Sequence, residues 1–506
     1  MLEIKNVCLD LAINDRNLVD DFSLVLNPGD KAVIIGEEGN GKSTLLKFIY
    51  DESLVDGYCN YSGQIIKKGT VAYLPQMFIH ENHELTIEEF FDNKMGTDSA
   101  QIVARLGIPI DLTTSSQCIS TLSGGEKIKI QLAKILLTQP DILLLDEPTN
   151  DIDLPTLEWL ENFISSCRQP IIFISHDETL IERTANVIIH MEQLMRKTKS
   201  KITVSYSNYE KYIKIRNQAF DKQMQIAKKQ RSDHKAQMAR WQQIHDRVDH
   251  EQSSVSCQDP STGRLLKKKM KAVKSTGRRL EKQSNDFLEI PDMEAAILTQ
   301  FDQEVLVPQG KVIISLEMPG LYINDRELSG PLALKINGPQ RIGIVGQNGV
   351  GKSTFLKKIW ETLSPRKDIT VAYMPQNYVD ILDEDLSPIG YLAADGHKNT
   401  TTKVRTYLGS MKFTSDEMLG KISKLSGGQK AKVLFLDMVL KKANVLVLDE
   451  PTRNFSPLSA PEIRKTLTNF GGAIISVSHD RKYLTEVCDQ IYELTTNGLT
   501  LAAIDA

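Results

Sequence analysis

Two kinds of hydrophobic patterning alternate along this 506-residue chain. The first is a short, uninterrupted apolar run. Runs at 32–35 (AVII), 71–74 (VAYL), 142–145 (ILLL) and 171–174 (IIFI) are echoed at 371–374 (VAYM), 445–448 (VLVL) and 474–477 (IISV). Runs this short, without polar alternation, fit strands buried on both faces of a parallel sheet. Amphipathic stretches lie between them. From Ser123 onward, Ile128, Leu132 and Ile135 share one helical face. Together these patterns predict an α/β protein.

The second kind occupies residues 208–286. No Pro or Gly falls between Pro170 and Pro260, so nothing there forbids a long helix. Ile213, Phe220, Ala227, His234, Trp241 and Val248 recur every seven residues, with Met224 and Met238 interleaved. On the return, Leu266, Met270, Val273, Leu280 and Phe287 keep a four–three spacing. The pattern predicts two antiparallel helices zipped along a seam, with imperfections at Arg231 and Gly277. A first helix of some 43 residues would span about 65 Å. The turn is expected at 251–262, as a small, polar and uncapped loop.

Charge sharpens this picture. Residues 208–286 carry 19 Lys+Arg against 9 Asp+Glu, a net of +10, in a chain whose total is −4. Concentrating positive charge in one connector points to a polyanionic partner. A dimerisation coiled coil or plain spacer is the alternative for such a hairpin, and it leaves the charge unexplained. Lys267, Lys268, Lys269, Lys271, Lys274, Arg278 and Arg279 crowd the returning helix, where they could neutralise RNA phosphates. The six cysteines are scattered without a CxxC pair, which argues against a disulfide framework or zinc ribbon and fits a reducing cytoplasm. No apolar run approaches the length needed to cross a bilayer, and the N-terminus lacks a signal pattern.

The chemistry begins where strands end. Gly36, Gly39, Gly41, Lys42, Ser43 and Thr44 form a G-x4-G-K-S loop between a strand and a helix. Glycines there let backbone N–H groups wrap phosphates. The lysine reaches the β- and γ-phosphates, and the serine offers a hydroxyl to Mg²⁺. Gln76 ends the VAYLPQ strand; alone it reads as a surface amide. Ser123 and Glu126 form a capping box around Gly124 and Gly125, which cost helix stability unless something approaches that helix end closely. The 142–145 run ends in Asp146 and Glu147, suited to a Mg²⁺ shell and to polarising water, and the 171–174 run leads to His176.

Each signal has a bland alternative, but the set occurs twice. Gly346, Gly349, Gly351, Lys352, Ser353 and Thr354 are followed by Gln376, by Ser426, Gly427 and Gly428, by Asp449 and Glu450, and by His479. The offset is 303 residues for the signature, the acidic pair and the histidine. Five motifs repeated in order indicate an internal duplication.

These residues resemble the ATP-binding cassette ATPases, with their Walker A loop, Q-loop, LSGG signature, Walker B strand and switch histidine. The resemblance implies two tandem α/β cassettes, each a mixed sheet core with a helical subdomain, and ATP and Mg²⁺ as cofactors. It implies head-to-tail sites. One joins the first Walker loop, Gln76, Asp146, Glu147 and His176 to Ser426, Gly427 and Gly428. The other joins the second loop, Gln376, Asp449, Glu450 and His479 to Ser123, Gly124 and Gly125. Ser43, Gln76 and Asp146, and Ser353, Gln376 and Asp449, would surround the metal. Cassettes at 1–207 and 301–506 joined by a helical hairpin at 208–300 look like the ABC-F group of ribosome-associated factors. DEPTRNFS at 449–456 departs from that group's pattern and is similar to the Vga- and Lsa-type resistance proteins.

That resemblance implies a cytoplasmic monomer with intramolecular cassette pairing and no membrane domain. It would bind the bacterial 70S ribosome at the exit site, contacting 23S rRNA and the P-site tRNA. There it would counter lincosamides, pleuromutilins and streptogramin A drugs. Ser253, Ser254, Val255, Ser256, Cys257, Gln258 and Asp259 would form the tip nearest the drug site. Only about 45–50 residues separate each glutamine from its signature, too few for a long arm insertion, and 27 follow His479, too few for a C-terminal coiled coil. Asp151 replaces the group's His, and Ser456 stands where the first half has Asp153, so unequal ATP sites are expected. No aromatic residue for stacking on adenine stands near Ile13 and Asn14; Tyr322 is the candidate in the second half. The competing classes are a housekeeping factor for stalled ribosomes, a transporter's fused ATPase and a DNA-repair ATPase. The basic connector argues against the transporter, and the cysteine spacing against a zinc-bearing repair enzyme.

Overall fold

The computed structural model describes the chain except residues 13–15, 77–84, 92–101, 105, 110–111, 113–114, 195–198, 255–259, 286, 288–305, 324–325 and 503–506. Two compact units result: Met1–Tyr209 with Glu294–Ala506, and Glu210–Met293.

The first unit contains both halves of the repeat. In each half a six-stranded sheet forms the centre. Its order in the first half is Val71–Leu74, Ile142–Asp146, Ile171–Ile174, Lys31–Ile35, Val187–Leu194 and Lys199–Ser205. The second half repeats it as Val371–Met374, Val445–Asp449, Ala473–Val477, Arg341–Val345, Gln490–Thr495 and Gly498–Ala502. The first five strands of each sheet pair in parallel and the last is antiparallel. Every residue of Ile142–Asp146 and Val445–Asp449 is buried, as strands covered on both faces must be. An antiparallel sheet of Arg16–Leu26, Leu2–Leu11 and Cys59–Lys67 packs against the first half's core. In the second half its counterpart is two separate pairs, Val312–Met318 with Leu332–Asn337 and Leu321–Ile323 with Arg326–Ser329. Because parallel strands share a direction, their carboxyl ends bring the P-loops, acidic pairs and histidines to one edge of each sheet.

The second unit is a helical hairpin. Tyr209–Ser254 is one 46-residue helix and Pro260–Asn285 a 26-residue return. The first spans about 69 Å at 1.5 Å per residue. The heptad positions are buried or half-buried, Ala227, Val248, Leu266, Met270 and Leu280 most deeply. Two of them also bond across the seam. Trp241 Nε1 donates to Val273 O at 2.8 Å, and His234 Nε2 donates to Leu280 O at 3.0 Å. Gly277 is no imperfection. A Cβ there would lie 2.7 Å from Trp241 Cζ2, so the glycine makes room for the indole. The expected turn is also shorter than 251–262, because Glu251–Ser254 complete the first helix and Pro260 opens the second. Ser253 and Ser254 are not a bare loop: their hydroxyls donate to His250 O and Glu251 O. Val255, Ser256, Cys257, Gln258 and Asp259 lie outside the described residues. Lys267, Lys268, Lys269, Lys271, Lys274, Arg278 and Arg279 are all exposed. Among the described residues, no helix is long and apolar enough to cross a membrane.

Candidate nucleotide sites between the two cassettes

Each phosphate loop is folded around its lysine. The helix Lys42–Tyr50 begins after Gly41, whose φ of 90° is left-handed and whose added Cβ would sit 3.0 Å from Leu18 Cδ1. Gly351 repeats this before Lys352–Leu363. Lys42 Nζ donates to Gly36 O and Glu37 O at 2.9 and 3.2 Å; Lys352 Nζ donates to Gly346 O and Gln347 O at 2.7 and 2.9 Å. Burial lowers both lysine pKa values, opposed chiefly by Glu147 and Glu450 respectively. Ser43 and Thr44, like Ser353 and Thr354, lie in the first helical turn. Ser43 Oγ donates to Asp146 Oδ1 at 2.9 Å, and Tyr73 O–H donates to Asp146 Oδ2 at 2.9 Å. Burial raises Asp146 and Asp449 despite the hydroxyl at each.

The signature helices face the opposite loops. Both capping boxes form: Ser123 with Glu126 and Ser426 with Gln429. The signature glycines have a reason beyond access for phosphate. A Cβ on Gly124 would come within 2.1 Å of Asp151 O, and one on Gly428 within 2.6 Å of Asn454 O. They clear the loop that follows each acidic pair.

The two sites are built differently. At the first, Glu38 of the Walker loop accepts from Gly428 N at 2.5 Å, so a carboxylate occupies the helix end expected to meet phosphate. The cavity there is 30 Å³ and is lined by Glu37, Glu38, Ser426 and Gly428 among others. At the second, Asn348 stands in the loop instead and donates to Asp151 O at 2.6 Å. Arg453 pairs with Asp151 Oδ1 at 3.0 Å, and Gln376 Nε2 donates to the same oxygen at 3.4 Å. A cavity of 1190 Å³ brings Gly349, Gly351, Lys352, Ser353, Thr354, Gln376, Asp449, Glu450 and His479 opposite Ser123 and Gly124. Gln76, Glu147 and His176, expected with the first loop, also border this larger cavity.

Both carboxylates after the Walker B strand are held in left-handed backbone, at φ 50° for Glu147 and for Glu450. Such a conformation in a non-glycine residue stores strain and marks functional positions. Their electrostatics diverge. His176 Nε2 lies 2.8 Å from Glu147 Oε1, while its Nδ1 donates to Phe455 O of the other cassette at 2.8 Å. Burial pushes Glu147 up, but His176, Lys42 and Arg453 together hold it below the usual range. His479 Nε2 is 3.8 Å from Glu450 Oε1, and its Nδ1 is buried without a hydrogen-bond partner among the described residues. Burial, with Asp449 adjacent, pushes Glu450 up to about 8, and burial beside Lys352 takes His479 down to about 4. Glu147 is therefore poised to accept a proton and Glu450 to hold one.

Several contributors were not singled out from sequence: Glu38, Asn348, Tyr73 and Arg16, whose Nη2 donates to Gly39 O at 3.0 Å; Arg453 stood out only as a departure from the group's pattern, not for its ion pair with Asp151. Tyr322 does not line the second cavity; its neighbours Ile323 and Arg326 do. Ile13 and Asn14 lie outside the described residues.

Comparison with known proteins agrees with this fold. The ABC transporter family model matches residues 19–150 and 330–453. The chain is 27% identical to the probable ATP-binding protein YheS of Escherichia coli (strain K12) over 94% of this chain and 76% of that protein. It is 26% identical to ABC transporter F family member 2 of Arabidopsis thaliana, over 95% and 75%. Among solved structures, an archaeal ribosome recycling factor in complex with a ribosomal stalk protein matches with a TM-score of 0.59 and 16% identity, covering 98% of this chain and 89% of that one. The relatives thus include ABC-F proteins, and the tandem-cassette fold is shared with the recycling factor. The chain binds nucleotide and is an ATPase, and it belongs to the ABC transporter family.

Proposed function

We propose that this ATPase is an ABC-F factor that binds the bacterial 70S ribosome and protects it from antibiotics at the peptidyl-transferase centre. The observation that carries the reading is the hairpin: two long helices sealed by an apolar seam, with nine exposed cations on the return. A rigid rod studded with Lys and Arg suits ribosomal RNA, whose phosphates it can neutralise along its length. The relatives named as F family members, and the recycling factor that shares the fold, support a ribosomal partner. The hairpin tip, including Ser253 and Ser254, would lie nearest the drug site or the tRNA acceptor end. The drug-protecting branch rests on Arg453, Asn454, Phe455 and Ser456 after the second acidic pair.

In this reading Lys42 and Lys352 hold the β- and γ-phosphates, and the signature glycines close each site from the opposite cassette. Glu147 and Glu450 polarise the attacking water, with His176 and His479 orienting them. Ser43, Asp146 and Gln76, and Ser353, Asp449 and Gln376, would hold Mg²⁺, which neutralises phosphate charge when bound. The residues fit: Asp449 Oδ2 is a buried oxygen without a hydrogen-bond partner among the described residues. Glu147 lies within hydrogen-bond distance of His176 while Glu450 lies 3.8 Å from His479 and is raised by burial, a difference that supports unequal hydrolysis at the two sites.

The test of drug protection is translation in a bacterial extract containing a lincosamide or pleuromutilin. Added wild-type protein should restore synthesis. Ribosome binding without restored synthesis would leave the housekeeping factor as the correct reading.

A further inference from the structure

The two cassettes meet at a second place, where helix Glu178–Thr184 of the first half and Arg481–Val487 of the second follow the two histidines. Arg464 is 3% exposed and grips Glu178 with two nitrogens, Nη1 to Oε1 at 2.7 Å and Nη2 to Oε2 at 3.2 Å. Arg481 grips Glu161 in the same way. Each grip is braced from within its own half. Arg183 Nη1 donates to Glu161 Oε2 at 2.9 Å, and Arg464 Nε donates to Glu486 Oε2 at 2.8 Å. Lys482 adds contacts to Glu178 and Glu182.

The internal repeat gives this cluster its meaning. At the offset of 303 residues, Glu161 corresponds to Arg464, Glu178 to Arg481 and Arg183 to Glu486. All three positions are charge-inverted. Their neighbours Ser175, His176 and Asp177 recur unchanged as Ser478, His479 and Asp480. The symmetry of the repeat turns each position's contact into its partner's contact with the signs exchanged. Two first cassettes paired this way would set Glu161 against Glu178. Two second cassettes would set Arg464 against Arg481. Only a first cassette against a second is neutralised, and a buried like-charge pair is strongly disfavoured.

We infer that Glu161, Glu178, Arg183, Arg464, Arg481 and Glu486 form a pairing code that makes a second-type cassette the only fitting partner of a first-type cassette. The code also keeps the two histidine-bearing segments docked to each other when no nucleotide bridges the sites. It supplies specificity rather than net stability, since a well-packed apolar contact would hold the halves equally well but would not distinguish like from unlike.

The test uses the full chain with one spin label on each cassette, read by double electron–electron resonance without nucleotide, together with ATP turnover. Arg464→Glu/Arg481→Glu makes the four gripping positions acidic. It should lengthen and broaden the inter-cassette distance and lower turnover by about tenfold. Exchanging all six charges, by Glu161→Arg, Glu178→Arg, Arg183→Glu, Arg464→Glu, Arg481→Glu and Glu486→Arg, with Lys482→Thr to remove the ammonium that contacts position 178, restores complementarity with the signs reversed. That chain should recover a narrow distance distribution and most of the turnover. An acidic variant that keeps the wild-type distance overturns the inference. So does a six-charge exchange that pairs or folds no better than the acidic variant, because complementarity would then not be what the site recognises.

Discussion

Glu38 is the residue whose replacement discriminates most sharply between the two ATP sites. Its carboxylate takes the N–H of Gly428 at 2.5 Å, at the amino end of the opposing signature helix. A triphosphate bound in the first Walker loop would compete for that helix end and would carry like charge beside both Glu37 and Glu38. A hydrogen bond from a backbone N–H to an ionised group is worth about 1.5–3 kcal/mol. Glu38 is only half-buried, so the lower end applies, and about 1.5 kcal/mol corresponds to roughly a tenfold change in affinity. Asparagine at this position removes the charge and matches Asn348 of the second loop. The assay is equilibrium titration with a fluorescent ATP analogue and Mg²⁺ in a Glu147→Gln/Glu450→Gln chain carrying Lys352→Ala, so that binding reports the first site. Glu38→Asn should tighten binding about tenfold. The reciprocal change, Asn348→Glu in a chain carrying Lys42→Ala, should weaken the second site. Unchanged or weaker binding by the Glu38→Asn chain would refute the reasoning.

Other consequences are as direct. Gly277→Ala gains about 1 kcal/mol of helix propensity but drives a methyl into the Trp241 ring, an overpacking cost of about 1–3 kcal/mol. Thermal unfolding of the hairpin should therefore move to lower temperature, and a rise would mean that the seam relaxes freely. Gly124→Val sets side-chain carbons on Asp151 O, where even a Cβ comes within 2.1 Å. ATP turnover should fall with the fold retained by circular dichroism; full turnover would show that the signature end is not held against that loop. Burial pushes the Asp177 carboxyl up to about 6, with Asp480 adding to it against the Leu180 N–H and Arg481. A folded value above the unfolded one, about 3.9, means stability that is complete at low pH and lost as pH rises towards 6. Asp177→Asn keeps the cap and should lose less stability than wild type between pH 4 and pH 7; identical pH dependence would contradict the assignment. Removing residues 253–262 should abolish drug protection in the translation assay while ATP turnover persists, and intact protection would dissociate the tip from the drug site.

How much of this was legible in the sequence depends on the range of the interaction. Buried strands, P-loops and capping boxes are specified by residues a few positions apart, and seven strands of the two six-stranded sheets fall on the apolar runs, whereas Val187–Leu194, Lys199–Ser205, Arg341–Val345, Gln490–Thr495 and Gly498–Ala502 were not read from the sequence. The hairpin seam was legible for the same reason, since a heptad is a local pattern. Gly277 was misread because the indole it accommodates comes from Trp241 on the other helix. Glu38 and Gly428 lie 390 residues apart, and nothing local to a Walker loop announces which group will cap the opposing helix. The charge inversion is a different case. Its signal is present in the chain, but it emerges only when the halves are superimposed at the 303-residue offset and their differences, rather than their shared motifs, are compared.

The proposed function requires that the protein be held on the ribosome while its cassettes are closed on ATP. The Glu147→Gln/Glu450→Gln chain should bind ATP, close and fail to reset, because both carboxylates proposed to polarise water are gone. Co-sedimentation of this chain with purified 70S ribosomes through a sucrose cushion tests the claim most directly. Near-stoichiometric recovery with ribosomes in ATP and release in ADP is the predicted result. Absence from the ribosomal pellet in ATP, by a chain shown to bind the nucleotide, would contradict the account.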